Sequence, residues 1–370
     1  MKPETAAIHI SNQVTDLHQP VIQPITLSTT YLHSETSLVY SRFANPNRTS
    51  LEKVMAALEH GKEAAAFSSG NTAGMAVFQC LDQGSHIIAP LDMYHGLKKQ
   101  LIEVFQDKLS VTFVDMTQPE QVRAAIKAET RVIWVESPSN PLIQIANIPL
   151  IAQIGRHAQV KVICDNTFAT PILQNPLDLG ADLVMHSATK YIGGHSDVLA
   201  GILVTKETDE FWQRIKTVQS IGGAIPSAFD CYLLCRSIKT LSYRMKGHCA
   251  NAQIIAEYLS QHPFVEKVIY PGLPTDPGHK LAGELMRGFG GMITFLVKGG
   301  ANESDGFVQS LRYFSNATSL GGVESLIERR ALVEGPESIS PENLIRMSVG
   351  LEHVEDLLED LKSGLEKLHR

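Results

Sequence analysis

The 370-residue sequence lacks a surplus of positive charge: 32 lysines and arginines stand against 39 aspartates and glutamates, a formal net charge of -7. A nucleic acid or an anionic membrane surface needs a basic stripe, so neither is an expected partner. An anionic small ligand is not excluded, because it needs only local positive groups. No apolar run approaches the about 20 residues of a membrane span, and the start MKPETAAIHISN carries no signal-peptide core, so a cytoplasmic protein is expected. The 14 histidines show no H-E-x-x-H or other ligand spacing, and no metal is assigned. Cys80, Cys164, Cys231, Cys235 and Cys249 lie in apolar contexts without a C-x-x-C pair and read as reduced structural thiols. No G-x-G-x-x-G follows a strand, which argues against a dinucleotide-binding oxidoreductase. There is no internal repeat.

What is present is alternation. Hydrophobic residues make up 44% of the chain, enough for a sizeable core and about two domains. Residues 1–50 are polar and broken by proline (HQPVIQPITLSTTY), and read as an extended arm lying on something else. TSLEKVMAALEH then reads as a helix with Thr49 or Ser50 as its N-cap. AAAF, SHIIAP, LSVTFVDM, TRVIWVES, VKVICDN, ADLVMHS and AGILVTK are short strand-like runs, with helical patterns between most of them. This predicts an α/β domain over 51–245 with a mostly parallel sheet buried on both faces. DCYLLCRSIKTLSYRMKGHCANAQIIAEYLSQH reads as one long helix. VEKVIYP, GGMITFLVK, LIRMSVGLE and the amphipathic VEDLLEDLKSGLEKLHR make a smaller α+β domain over 246–370.

Lys190, in VMHSATKYIGGHSDVLAG, sits among hydroxyls and glycines. Lysine is the residue that forms imines with carbonyl cofactors, and hydroxyls beside backbone amides suit a phosphate. That pairing suggests pyridoxal 5'-phosphate (PLP). PLP needs an acid for its pyridine nitrogen, and Asp165 ends an apolar strand 25 residues earlier. It needs a face to stack on, and Tyr94 follows a strand end. It needs donors for its phosphate, and Ser68-Ser69-Gly70-Asn71 opens a helix.

The ordered set YSRFANPNR, FSSGNTAGM, DMYHG, ESPSNP, CDNTFATP, HSATKYIGGHSD, SLGGVESL and LIRMSVGLE resembles the Cys/Met-metabolism PLP enzymes from about residue 7 to 365. These include cystathionine γ-synthases, cystathionine γ-lyases, methionine γ-lyases and O-acylhomoserine sulfhydrylases. The resemblance implies an aspartate-aminotransferase-like large domain with a seven-stranded sheet. It implies PLP held covalently on Lys190, which later serves as the base. Asp165 would pair with the pyridine nitrogen, Tyr94 would stack on the ring, and Asn140 would bond the phenolic oxygen. Ser69, Ser187, Thr189 and the amides of Gly70 and Asn71 would hold the phosphate. Tyr40 and Arg42 would reach the neighbouring subunit's phosphate, implying a homodimer at least and a dimer of dimers by likeness. Arg346 would clamp the substrate α-carboxylate, with Ser319 and the Ser139 backbone near it. Without the resemblance Arg346 would pass as an edge-strand arginine.

The chain also departs from that pattern. Asn47 replaces a usual threonine, His95 a frequent glycine and Asn71 a common apolar residue. Thr318 stands where cystathionine-handling members carry an acid, and Gly96 where methionine γ-lyases carry a cysteine. Lys99 lies near a usual arginine for the distal substrate end. ERRALVEGPE replaces a His-Pro-Ala-x-x-Thr-His stretch, so Arg329 and Arg330 read either as solvated or subunit-contact charges, or as binders of an anionic substrate tail. The expected reaction is γ-elimination or γ-replacement on a sulfur amino acid or activated homoserine. Methionine γ-lyase-like or O-acylhomoserine sulfhydrylase activity is the alternative.

Overall fold

A computed structural model describes residues 1–12, 20–33, 38–335, 338 and 340–367. Parts of the expected arm (13–19 and 34–37), residues 336 and 337 of the ERRALVEGPE run, and residues 368–370 of the expected last helix lie outside the described residues. The chain divides into two compact units, Met1–Glu136 with Ala146–Ser242, and Ser137–Ile145 with Tyr243–Arg370.

The first unit is built on seven strands: β1 (Glu63–Phe67), β2 (His86–Pro90), β3 (Ser110–Val114), β4 (Thr130–Glu136), β5 (Lys161–Asp165), β6 (Leu183–Ser187) and β7 (Gly201–Thr205). Their order is β1-β7-β6-β5-β4-β2-β3. All neighbours are parallel except β7, which runs antiparallel to both β1 and β6. Both faces are buried. Trp134, Ile163 and Met185 belong to one apolar cluster, and Ile133, Val135, Val162 and Cys164 to another. Side chains alternate along a strand, so these are opposite faces of one sheet.

The helix predicted from Thr49 begins earlier, at Pro46–Leu58. Its N-cap is Asn45, whose side chain accepts from the amides of Asn47 (2.9 Å) and Arg48 (3.4 Å), and Pro46 occupies the first turn. Asn47 ties down the arm: its Oδ1 accepts from the Thr26 amide at 2.8 Å, and its Nδ2 donates to the Pro24 carbonyl at 3.0 Å. The predicted single long helix is two, Ala228–Ile238 and Leu241–Ser260. The break is a turn in which the amide and hydroxyl of Thr240 both donate to the Ser237 carbonyl.

The second unit carries a five-stranded sheet: β8 (Val265–Ile269), β9 (Met292–Val297), β10 (Ser315–Asn316), β11 (Leu326–Arg329) and β12 (Leu344–Ser348). The order is β10-β11-β12-β9-β8, antiparallel except for β10 with β11. Ile293, Phe295, Ile345, Met347 and the helix residues Leu357 and Leu361 share its core. The five cysteines are free, and burial raises every thiol, Cys80 to about 11. None is a thiolate at neutral pH. Among the described residues no helix is long and apolar enough to cross a membrane, and no group of His, Cys, Asp and Glu could hold a metal.

Replacing Asn45 by alanine removes the acceptor for two first-turn amides. It should cost about 1 kcal/mol of stability, read as a lowered midpoint in thermal or urea unfolding of the cofactor-loaded protein.

Candidate functional site

Three neighbouring strand ends centre the candidate site of the first unit. In register, Glu136 of β4 pairs with Asp165 of β5, and Asp165 pairs with Met185 of β6. Two-residue steps from Trp134, Ile163 and Met185 put Glu136, Asp165 and Ser187 on one face. They stand at the carboxyl ends of parallel strands, where open α/β sheets bind ligands.

The helix Gly70–Cys80 packs on that face through Ala73, Ala76 and Val77. Its first residue lies against Ser187: a methyl group at Gly70 would sit 2.8 Å from Ser187 Cβ and 2.9 Å from Oγ. Ser69 caps the helix. Its hydroxyl accepts from the Thr72 amide at 3.1 Å, and its amide donates to the Thr72 hydroxyl at 2.9 Å. The first-turn amides of Gly70 and Asn71 have no acceptor within the helix and carry its positive dipole end. Ser187 beside that end makes a cradle of the kind an anion occupies.

Asp165 is buried, which raises its carboxyl above the ordinary range, against the hydrogen bonds of Thr167 and the charge of His186. The Thr167 amide donates to Asp165 Oδ1 at 3.0 Å, and its hydroxyl accepts from the Ser187 amide at 2.8 Å. Thr167 thereby couples the strand-end acid to the cradle. Behind it, Glu59 and His186 are fully buried and 2.6 Å apart, and Glu59 also accepts from Asn166 Nδ2 at 2.7 Å. A buried acid with a raised pKa favours a cationic partner. A protonated pyridine nitrogen is such a partner, and the helix end with Ser187 suits a phosphate, so these residues fit PLP.

Lys190 follows in a turn: its amide donates to the Ser187 carbonyl, and its own carbonyl accepts from Gly194. Thr189 spends its hydroxyl on Ala200, donating to the carbonyl at 3.3 Å and accepting from the amide at 3.1 Å. The Tyr94 amide donates to Glu136 Oε2 at 2.8 Å, which anchors the tyrosine to the Asp165 face. A Cβ at Gly96 would lie 2.7 Å from the Tyr94 ring and 3.0 Å from the Asn71 side-chain amide, so Gly96 makes the space that these two share. Lys99 is exposed and pairs with Glu103 at 3.6 Å. Tyr40 is exposed, and Arg42 lies over the Phe43 ring and donates to the Ser220 carbonyl.

In the second unit Arg346 lies on β12, the central strand of its sheet, and is buried. It is not the edge-strand residue that its sequence context alone suggests. Its Nη1 donates to Asn140 Oδ1 at 3.0 Å, and its Nη2 to the Ser319 carbonyl at 3.1 Å. Ser319 has φ +129°, a region costly for a non-glycine residue, and Thr318 before it is exposed. Ser139 accepts from the Gln144 amide at 3.0 Å. Arg329 and Arg330 are not solvated charges. Arg329 makes a bidentate pair with Asp305 (2.7 and 3.0 Å), and Arg330 is buried between Glu328 and Glu334. Both charges are committed within the unit.

Thr167, Glu59, His186 and Glu328 support the expected residues but carry no role in the sequence reading, where Glu136 stands only as a strand-end candidate. Thr167, two residues after Asp165, fits an Asx-turn spacing. Glu59 and His186 are 127 residues apart, and no local pattern joins them.

The sequence profile described as "Cys/Met metabolism PLP-dependent enzyme" matches residues 4–366. Cystathionine gamma-lyase of Dictyostelium discoideum is 41% identical, with 98% of this chain and 97% of that protein aligned. Cystathionine gamma-synthase of Mycobacterium leprae (strain TN) is 45% identical, with 98% and 96% aligned. The crystal structure of cystathionine gamma-lyase from Lactobacillus plantarum complexed with L-serine superposes with a TM-score of 0.95 at 38% identity, covering 100% of both chains.

Gly70→Ala would drive a methyl group into Ser187 at the cradle. PLP affinity of the apoprotein, titrated by fluorescence quenching, should fall about tenfold or more, with the fold intact by circular dichroism.

Proposed function

The chain belongs to the Cys/Met-metabolism PLP-dependent enzymes, and on that basis we propose γ-elimination or γ-replacement on a sulfur amino acid or an activated homoserine as its reaction. The observation that carries the assignment of residues is the alignment of Glu136, Asp165 and Ser187 on one sheet face, with Gly70 against Ser187.

PLP, when bound, supplies the electron sink that makes the substrate's α-proton acidic. The chain's own groups do the rest. Lys190 carries the cofactor in the resting enzyme. Its Nζ then takes the α-proton and moves protons along the substrate as the γ-substituent leaves. Asp165 holds the proton on the pyridine nitrogen, and Thr167 orients that carboxylate. Ser69, Ser187 and the amides of Gly70 and Asn71 hold the phosphate, and Thr189 joins them when its hydroxyl turns from the Ala200 carbonyl. Tyr94 supplies the stacking face, and Asn140 bonds the phenolic oxygen. Arg346 holds the substrate α-carboxylate, and Ser139 and Ser319 flank it.

Thr318 offers no acid to a distal ammonium, which weighs against cystathionine as the substrate; Lys99, exposed and paired with Glu103, does not separate the two, because cystathionine also carries a distal carboxylate. Against a methionine γ-lyase-like reading, a cysteine at position 96 would collide with Tyr94 and Asn71. Tyr40 and Arg42 act on the phosphate of a neighbouring subunit, so the active form is a homodimer at least, and a dimer of dimers by family likeness. The enzyme works in the cytoplasm.

The purified protein should be yellow, and Lys190→Ala should remove both turnover and the ordinary visible band. Survival of that band would overturn the lysine assignment. Asp165→Asn should retain the fold and lower turnover by at least about a hundredfold, since a neutral partner no longer holds the ring proton. A product assay with cystathionine, methionine and O-acylhomoserines, with and without cysteine, selects the substrate. Release of keto acid from methionine alone would make the enzyme methionine γ-lyase-like instead.

A further inference from the structure

Arg330 of the ERRALVE run builds a buried ion network onto Arg346 of the second unit. Glu328 of β11 stands opposite Arg346 of β12 in antiparallel register. Arg346 Nη2 lies 2.6 Å from Glu328 Oε1. Arg330 Nη1 donates to the same oxygen, at 2.5 Å. The second oxygen, Glu328 Oε2, is buried without a hydrogen-bond partner among the described residues. The far edge of Arg330 is held by Glu334, whose Oε1 accepts from Nε at 3.2 Å and from Nη2 at 3.0 Å. Glu334 Oε2 in turn accepts from the hydroxyls of Ser338 (2.6 Å) and Ser340 (2.8 Å).

A carboxylate beside Arg346 competes with any substrate carboxylate. A buried one-to-one pair of Glu328 with Arg346 would be neutral and would attract a second anion weakly. Arg330 changes that balance locally, because one glutamate oxygen now serves two guanidinium groups and Glu328 is no longer spent on Arg346 alone. With Glu334 the four-group set is neutral overall, but Glu334 lies on the edge of Arg330 away from Glu328 and is engaged by two serines. The shared oxygen also fixes Arg346 from one side, while Asn140 and the Ser319 carbonyl fix it from the others.

We propose that Arg330 is a positioning residue for the substrate carboxylate, holding Glu328 so that Arg346 keeps its charge and its orientation for the ligand. The proposal rests on the reading of Arg346 as the carboxylate clamp. It gives the chain's unusual second arginine a role in affinity, without contact to the substrate.

The test uses the PLP-loaded enzyme and two probes, L-serine and L-serinamide, which lacks the carboxylate. Binding is measured by calorimetry, beside KM and kcat on the γ-substrate found in the product assay. Arg330→Met should weaken L-serine about ten- to a hundredfold, leave L-serinamide unchanged, and raise KM far more than it lowers kcat. Arg330→Lys should recover part of the loss. Arg330→Met combined with Glu328→Gln should bind L-serine more tightly than Arg330→Met alone, because the competing carboxylate is gone; simple damage to packing would add instead. Unchanged L-serine affinity in Arg330→Met, or a double variant weaker than the single, overturns the proposal. If Arg330→Met does not fold, Arg330→Lys and Glu334→Gln decide: both should weaken L-serine selectively, and no change in either overturns it. Arg346→Lys separates the two levels, since unchanged L-serine affinity there removes the clamp reading itself.

Discussion

A carboxylate buried at the end of β5 is the constraint on which the first unit turns. Taking Asp165 out of water favours its neutral form, yet a pyridine nitrogen keeps its proton only beside an ionised acid. The structure opposes the cost of burial without removing it. Thr167 gives the carboxylate its amide and hydroxyl, and His186, paired with Glu59, adds a charge from the neighbouring strand. What remains is an acid that gains from a cation placed opposite. The parallel sheet makes this possible, since only neighbouring strands ending together bring Glu136, Asp165 and Ser187 to one edge. The same edge receives the helix from Gly70, so an acid that suits a cation and a cradle that suits an anion lie on one surface.

The second unit meets the same problem with the opposite sign. A buried guanidinium needs acceptors, and those of Arg346 include Asn140, the Ser319 carbonyl and Glu328. Neutral acceptors orient the group and leave its charge in place. Glu328 lies beside a second arginine as well, so one carboxylate oxygen meets two guanidinium groups. The strained backbone at Ser319 belongs to the same arrangement, because the carbonyl that meets Arg346 comes from the residue at φ +129°. Charge balance and chain geometry thus act together on one side chain.

Much of this was legible in the sequence. The strands of the large sheet announce themselves as short β-branched runs, and Lys190, Asp165, Tyr94 and Arg346 stand in motifs whose order identifies the family. Local pattern failed where a cap or a turn decided the outcome. Asn45 starts its helix because it can accept two amides ahead of Pro46, which a search for the hydrophobic period passes over. Thr240 breaks the long helix although the apolar residues on either side continue. Pairings between distant residues were out of reach altogether. Glu59 with His186, and Arg329 with Asp305, exist only once the strands and helices are assembled, and a charged pair of arginines in a loop-like run looks solvated until its acids are seen.

Gly96 shows how the substrate question changes once packing is visible. In the sequence it is a missing cysteine, a mark against one activity. In the structure its missing Cβ is the space between the Tyr94 ring and the Asn71 amide, and Asn71 is itself a departure from an apolar norm. The two positions are coupled, because a larger residue at 96 requires Asn71 to shrink or turn. The backbone beneath it is fixed, since the Asn71 main-chain carbonyl accepts from Gln100 Nε2 at 3.0 Å, so only the side chain can give way. Position 96 therefore cannot be enlarged alone: Asn71, Tyr94 and Gly96 share one tightly filled space, and a change at one of them falls on the others.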